Sequence, residues 1–483
     1  MGFTPLDYAI VVVYLIAVAS FGIVLGGRQR SAQDYFLGRD SIPWWAVCFS
    51  IVAAETSTLT FISIPGLAYL TNLNFLQVTF GYLIGRILIS VVFLPAYYRG
   101  ELSTAYAFLE TRFGLPVRRF ASMIFLLTRL AADGVRLFAT AIPLQLIADI
   151  DYPTAILLLA CVAFVYTFAG GVRGVIWVDA VQMFIYLGGA LAAGIVLVTG
   201  HEGGWSEVTA IAAKAGKFQV FTVGTLEGFF TQAYSLPAGL LGGAFLSMAS
   251  HGTDQLIVQR VLTTKSLAAS RKALIGSGVL IIIQFAIFLM VGLLLYGHYG
   301  GASLDALGLT RSDEIFPKFI IEGLPPGVSG LIIAGLFAAA LSTLAGSLSS
   351  MSSSFVLDLY KPLAGTGLTT ERELRISRLF TALTALLLVG AAVFFMETSQ
   401  TVVELALSIA SFTYGGLLGT FLLGVLFKKP GQTEAMIAFS AGILVMVVVI
   451  LFQLVAWTWY TAIGVCVTVS VGSLLAGVRG ARS

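Results

Sequence analysis

The sequence predicts an all-α integral membrane protein, and three observations carry that prediction. Hydrophobic residues make up 58% of the chain and charged ones 11%, against roughly a quarter charged in soluble domains. Thirteen apolar stretches run almost end to end, each long enough to cross a hydrocarbon layer of about 30 Å as a helix, unlike the ~10-residue alternating strands of an outer-membrane barrel. The second stretch, 44–70, carries Glu55, Thr56, Ser57, Thr58 and Thr60 in its middle and Pro65 and Gly66 after them. Hydrocarbon tolerates a carboxylate and a broken backbone only where they face protein or a water-filled cavity, so this segment reads as a discontinuous helix lining a site at mid-depth.

The expected spans are 6–26, 44–70, 75–98, 120–148, 152–170, 175–199, 228–250, 273–298, 327–357, 376–396, 401–427, 433–452 and 455–477. The first has no basic residue before it and is followed by Arg28 and Arg30, the wrong polarity for a cleaved signal peptide, so it stays as a span. The seventh, 228–250, is interrupted like the second, here by Ser235, Leu236, Pro237, Ala238, Gly239 and the Gly242–Gly243 pair. Gly239 and Gly243 alone read as packing devices, since small residues let membrane helices approach closely. Packing does not account for Glu55 beside four hydroxyls.

The basic residues orient the chain. With the N-terminus outside, the odd-numbered loops, their margins and the C-terminal tail hold 20 of the 27 Lys and Arg, from Arg28, Arg30 and Arg39 to Arg479 and Arg482. The opposite side holds only Lys214, Lys217, Arg311 and Lys318. That asymmetry predicts N-terminus out and C-terminus cytoplasmic. The longest external loops, about 200–227 and 299–326, are too short to fold alone. One membrane domain is therefore expected. The two broken spans stand five apart, and five is odd, so the units 44–199 and 228–427 enter the membrane from opposite sides as inverted repeats around a central site.

The ninth span places Ser342 and Thr343 at mid-depth and Asp358 at its cytoplasmic end. A sodium ion wants hard oxygen ligands, and two adjacent hydroxyls facing the free carbonyls of an unwound helix supply them. For Ser347 to Ser354 the plainer expectation is bonding to their own backbone and close helix packing. In the fourth span Arg129, Asp133 and Arg136 stand in helical register. One carboxylate can bridge both guanidinium groups and neutralise one. The charge left over at Arg136 costs on the order of 2.5–3.5 kcal/mol at mid-bilayer, which an anionic solute would offset. The alternative is a purely structural triad. Arg86 is too deep to snorkel and is expected to pair with Glu55 or Glu404. Cys48, Cys161 and Cys466 lie in spans with no paired spacing, and His201, His251 and His298 lie in or near loops with no metal spacing. No phosphate-cradling loop or nucleophile elbow points to an enzyme, and nothing points to nucleic acid or an obligatory protein partner.

Three stretches, AAETSTLTFISIPGLAY, AGGVRGVIWVDAVQ and LSTLAGSLSSMSSSFVLDLY, resemble the signature regions of the sodium/solute symporter family of sugar, proline, pantothenate, sialic acid and monocarboxylate carriers. The likeness extends over essentially the whole chain and is specific for the family, not for the solute. It implies the LeuT-type fold, with one accessory helix (6–26), ten core helices in two inverted repeats and two C-terminal helices (433–477), in a bacterial inner or plasma membrane. It implies sodium-coupled symport by alternating access. It puts the main sodium site at the carbonyls of Ala53, Thr56 and Ala339 and the hydroxyls of Ser342 and Thr343.

Asp179 falls on the aspartate of the family's second sodium site. The further hydroxyls that accompany it there are Ala345 and Gly346 here, so one sodium per cycle is expected, with Asp179 guiding the ion outward or pairing with Arg173. The family's solute position maps to Glu55, Ser57, Thr60, Phe75, Thr79, Tyr82, Arg136, Tyr234 and Ser235. The amide and carboxylate that sugar carriers place beside the break are replaced by Leu59 and Thr60. A carboxylate-bearing solute is therefore expected before a neutral sugar. Proton-coupled transport through Asp179 or Glu55 and a membrane solute sensor are the alternatives from other classes.

Overall fold

The structure is a computed structural model describing residues 3–38, 42–100, 102–148, 150–364, 369–397 and 402–480. Arg39 and Arg482, and the side chain of Glu404, lie outside the described residues. Among those described, regular structure is helical, with one isolated bridge between Ile42 and Thr264. The principal helices are α1 (Pro5–Gly26), α2 (Trp44–Glu55), α3 (Thr58–Leu70), α4 (Leu76–Val92), α5 (Leu115–Ala148), α6 (Tyr152–Thr199), α7 (Gly243–Gly252), α8 (Gln255–Val261), α9 (Leu267–His298), α10 (Val328–Ser354), α11 (Thr370–Phe394), α12 (Val402–Leu426), α13 (Gln432–Leu451) and α14 (Tyr460–Gly480).

By length and apolarity, eight helices of the described residues can cross a membrane, and α2 with α3 makes a ninth as a broken span bent by 68°. The expected number of thirteen is thus not reproduced by that measure, for identifiable reasons. α6 runs for 48 residues, about 72 Å at 1.5 Å per residue, more than twice the hydrocarbon thickness. It contains both expected spans 152–170 and 175–199, joined at Gly171, whose φ of 57° only glycine adopts freely. A Cβ at Gly171 would also stand 2.8 Å from the Tyr35 carbonyl oxygen.

The expected helix 228–250 needs correction. The chain up to Ser235 forms turns, and the helical part begins with a π-helical turn, Ala238–Gly242, leading into α7. Pro237 starts that turn, and its close fit to α4 demands glycine. A Cβ at Gly239 would meet the Gln77 backbone at 2.9 Å, and one at Gly81 would meet the Gly239 carbonyl at 2.3 Å.

α10 is the axis of the molecule. Every residue from Ile332 to Ser354 is buried, although this stretch holds eight Ser and Thr. Burial of so many hydroxyls demands partners; Ser347, Ser350 and Ser353 donate to their own helix backbone as expected, and other helices supply further partners. Ser349 and Ser353 accept from Gln259 and Gln255 of α8, and Ser354 donates to Asp358. Asp358 in turn binds Thr104 and Arg118. α8 is thereby stitched across the end of the bundle that the charge pattern assigns to the cytoplasm.

Candidate ion and solute site

α2 ends at Glu55 because Thr56 turns to an extended conformation (φ −84°, ψ 108°), and α3 restarts with Ser57 as its N-cap, accepting from the Thr60 amide at 3.4 Å. A helix end leaves its last carbonyls without internal donors. A hydroxyl from another helix approaches them. Thr343 of α10 lies 3.4 Å from the Ala54 and Thr56 carbonyl oxygens and 3.2 Å from that of Ala339. Thr343, Thr56 and Ala339 therefore converge as expected, while Thr343 reaches the carbonyl of Ala54 rather than that of Ala53.

Ser342 points elsewhere, donating to Asp179 at 2.7 Å. A hydroxyl whose proton is taken by a carboxylate keeps its lone pairs for a cation. Asp179 is fully buried and also accepts from Ser50 at 2.5 Å and from Arg260 at 2.9 Å. The expected pairing with Arg173 is overturned, because Arg173 is exposed at the α6 elbow while Arg260, counted from the sequence as a loop cation, is only 2% exposed. The Arg260 guanidinium also occupies the space beside Gly346, where a Cβ would stand 2.5 Å from it.

Beside the break lies a small cleft lined by Ser57, Thr58, Asp133, Arg136, Thr140 and Thr343, together with leucine and alanine side chains. A second, between α5 and α12, includes Arg129, Arg136, Asp254 and Tyr414 in its wall. Arg136 borders both. It pairs with Asp133 at 2.5 Å, as the register predicts, and Arg129 stands 3.5 Å from the same carboxylate. The charge count needs correction, however. Arg129 is also bound to Asp254, which accepts from Tyr414 at 3.0 Å. Two arginines face two aspartates, so no positive charge is left over.

Glu55 is corrected too. It is tied to the fully buried Arg86, one of the two partners expected for that arginine, and to His251 at 3.3 Å. His251, read from the sequence as a loop residue, is inside α7 and 3% exposed. Glu55 is thus engaged as an ion-pair partner rather than presented to the cleft. Of the other expected solute residues, Ser57 and Arg136 line the cleft. Phe75 stacks on Phe285 at 5.1 Å and meets Tyr234 at 5.6 Å, forming an aromatic group away from that lining. Thr60 bonds with Ser57, Thr79 bonds to the Leu76 carbonyl and Ser235 to that of Gln232. Tyr82 is half-buried near Glu55 and Arg86.

Sequence reasoning missed Asp254, Arg260, Tyr186 and Gln284. Asp254 had a local signal, since it follows Gly252 and Thr253 and caps α8 by accepting from the Leu256 amide. Gln284 and Tyr186 had none beyond being polar in apolar spans. No group of three or more His, Cys, Asp and Glu among the described residues forms a metal-binding cluster.

A profile of the sodium:solute symporter family matches residues 35–467. The sodium/sialic acid symporter NanT of Aliivibrio fischeri is 30% identical over 478 residues, covering 98% of this chain and 93% of its own length. The sodium/sialic acid symporter SiaT of Proteus mirabilis is 30% identical over 451 residues, 92% and 89% of the two chains. The substrate-bound, outward-open structure of a sodium-coupled sialic acid symporter matches with a TM-score of 0.90 at 28% identity, over 99% of this chain and 98% of that one. A nucleobase-cation-symport-1 family transporter in a closed conformation matches with a TM-score of 0.54 at 13% identity, a likeness of fold alone. The fold is all-helical and LeuT-type, as the signature regions imply.

Proposed function

This chain belongs to the sodium:solute symporter family, and from that premise we propose that its solute is a carboxylate-bearing sugar acid of the sialic acid type, carried with one sodium ion through the cleft at the Thr56–Ser57 break. The chain is a multi-pass, sodium-coupled membrane transporter and not an enzyme. The observation that carries the proposal is the cleft beside the break, whose lining combines Arg136 with Ser57, Thr58, Thr140 and Thr343.

The sodium ligands are the carbonyls of Thr56 and Ala339, those of Ala53 and Ala54 at the same helix end, and the hydroxyls of Ser342 and Thr343. Support comes from the approach of Thr343 to three of these carbonyls at 3.2–3.4 Å. The neutral arginine–aspartate cluster changes the reason for favouring an anion. A lone carboxylate would add net charge to a balanced, largely desolvated site, at a cost that falls when a cation enters with it. Solute and ion then arrive as a neutral pair, each raising the affinity for the other by the same factor. The Ser57 hydroxyl and the open edge of Arg136 supply donors for the carboxylate, and the Thr140 hydroxyl, whose own proton goes to the Arg136 carbonyl, offers an acceptor to sugar hydroxyls.

One sodium per cycle is favoured because Arg260 already neutralises Asp179 and fills the space at Gly346. The two inverted units 44–199 and 228–427 surround this site. The N-terminus faces out, an orientation supported by the position of 20 of the 27 Lys and Arg.

Thermal stabilisation of the purified protein by N-acetylneuraminate, other carboxylates and neutral sugars, each in sodium and in choline, tests the proposal, since a ligand stabilises by RT ln(1 + [L]/Kd). A sodium-dependent shift with a sialic acid is expected. A shift with a neutral sugar alone would reduce the arginine cluster to scaffold, and a sodium-indifferent shift would favour proton coupling. In proteoliposomes, uptake of a monoanion with one sodium should be insensitive to an imposed membrane potential; acceleration by an inside-negative potential would show that more than one sodium enters.

A further inference from the structure

Three fully buried polar side chains from three helices meet at the break. Gln284 of α9 donates to the Thr56 hydroxyl at 2.6 Å, Tyr186 of α6 donates to the Gln284 side-chain oxygen at 2.8 Å, and the Tyr186 hydroxyl lies 3.3 Å from the Thr56 hydroxyl. All three residues are 0% exposed. A buried carboxamide is costly in an otherwise apolar span unless both its ends are bonded, and here the two ends are spent on one residue and that residue's neighbour. The residue so held is the one at which α2 unwinds.

The effect of this grip follows from where the Thr56 hydroxyl sends its own proton. It donates to the Val52 carbonyl at 2.8 Å, and the Thr56 amide donates to the same carbonyl at 3.2 Å. The Val52 carbonyl is thereby closed, and the Thr56 hydroxyl has spent its proton on that carbonyl and a lone pair on Gln284. With χ1 of Thr56 fixed between Val52 and Gln284, its peptide is held in the extended conformation that aims the Thr56 carbonyl toward Thr343 of α10. Glu55 before it and Ser57 after it are anchored independently, by Arg86 and by the α3 N-terminus. Thr56 is the link between these anchors, and the Gln284–Tyr186 pair is what fixes it.

We infer that Gln284 and Tyr186 are positioning residues for sodium, acting through Thr56 to preorganise the carbonyl face of the break without touching the ion. The inference rests on the proposed sodium site and deepens it. Rigid outer partners of this type raise affinity by sparing the site the cost of ordering when the ion arrives. Residue 285 extends the consequence. Phe285, next to Gln284 on α9, stacks on Phe75, so one helix turn holds both the ion-side end of the break and the aromatic group beyond it. A shift of α9 would alter both together.

The test uses the full-length protein in detergent and in proteoliposomes. The sodium concentration giving half-maximal thermal stabilisation without solute is measured for Tyr186→Phe, Gln284→Leu, the double variant and Thr343→Ala, along with the sodium KM and the maximal rate of uptake. Gln284→Leu should raise the half-saturating sodium concentration about five-fold and Tyr186→Phe about two-fold. Because Tyr186 acts through Gln284, the double variant should be no worse than Gln284→Leu alone. The sodium KM should rise with little change in maximal rate. If Thr343→Ala weakens sodium while the Gln284 and Tyr186 variants lose only melting temperature in sodium-free buffer, the pair is structural and the inference fails while the sodium site stands. If Thr343→Ala also leaves the sodium requirement unchanged, the site itself is misplaced and the inference falls with it. Should Gln284→Leu not fold, Tyr186→Phe decides the matter, since it removes one hydroxyl and keeps the ring; an unchanged sodium requirement there overturns the inference.

Discussion

Two buried arginine centres stand in the same membrane domain, and they differ in access rather than in charge. Arg86 is fully buried, paired with Glu55 and Ser277, and lines neither cleft. Arg136 is also paired, with Asp133, yet 22% of its side chain is exposed and it borders both clefts. A balanced ion pair whose arginine is fully enclosed, as Arg86 is while Glu55 keeps 18% of its side chain exposed, is scaffold, because no solute can reach the guanidinium. A balanced pair with one open edge can take a further anion when a cation accompanies it.

The largest effect expected from this contrast is on stability. Arg86→Ala should destabilise the protein by about 3–5 kcal/mol by leaving the largely enclosed Glu55 without its arginine and with His251 beside it, and the Arg86→Met/Glu55→Met pair should recover most of it. Chemical denaturation of the purified variants measures both. Equal instability of the single and double variants would mean that the ion pair is not what holds α2 against α4.

At the open centre the expected loss is in affinity. Arg136→Gln should weaken a carboxylate solute about 10- to 100-fold, the range for a lost charged hydrogen bond, with a smaller effect on folding because Asp133 keeps Arg129 and Ser347. Calorimetric titration in sodium reads this directly. An unchanged Kd would place Arg136 with Arg86 as scaffold and erase the comparison.

The charge balance can be tipped in the other direction. Asp254→Asn leaves Arg129 short of one partner and should tighten the carboxylate about five-fold while leaving a neutral sugar unaffected, a difference of ~1 kcal/mol for an added charge at high effective dielectric. Tightening of both ligands alike would point to a loosened α8 instead of an electrostatic gain. The smallest effect belongs to Tyr414→Phe, which removes one hydrogen bond to Asp254. It should cost ~1 kcal/mol of stability and leave solute affinity as it was; a large loss of affinity would show that the second cleft takes part in binding.

Much of this was legible without coordinates. The Glu55–Thr60 cluster announced the broken helix, and the structure bends it by 68°. The register of Arg129, Asp133 and Arg136 gave their mutual pairing, since helical neighbours follow from spacing alone. The family's signature regions lie on contiguous segments, and so family and sodium coupling were legible too. Contacts between distant segments were not. Asp254 joins Arg129 across 125 residues and Arg260 joins Asp179 across 81, and neither pairing follows from any periodicity. The spare charge inferred at Arg136 was an error of the same origin, because a local count could not include an aspartate delivered by the turn between α7 and α8.

The sequence by itself determined that this is a helical membrane protein with a polar break in its second span, because hydropathy, helix period and helix-breaking residues act within a few turns of chain. Tertiary structure alone decided which carbonyls Thr343 meets, which ionic cluster is sealed and which is open, and what grips Thr56. In a domain where nearly every polar group must find a partner inside the protein, those pairings are set by how helices far apart in sequence are packed together.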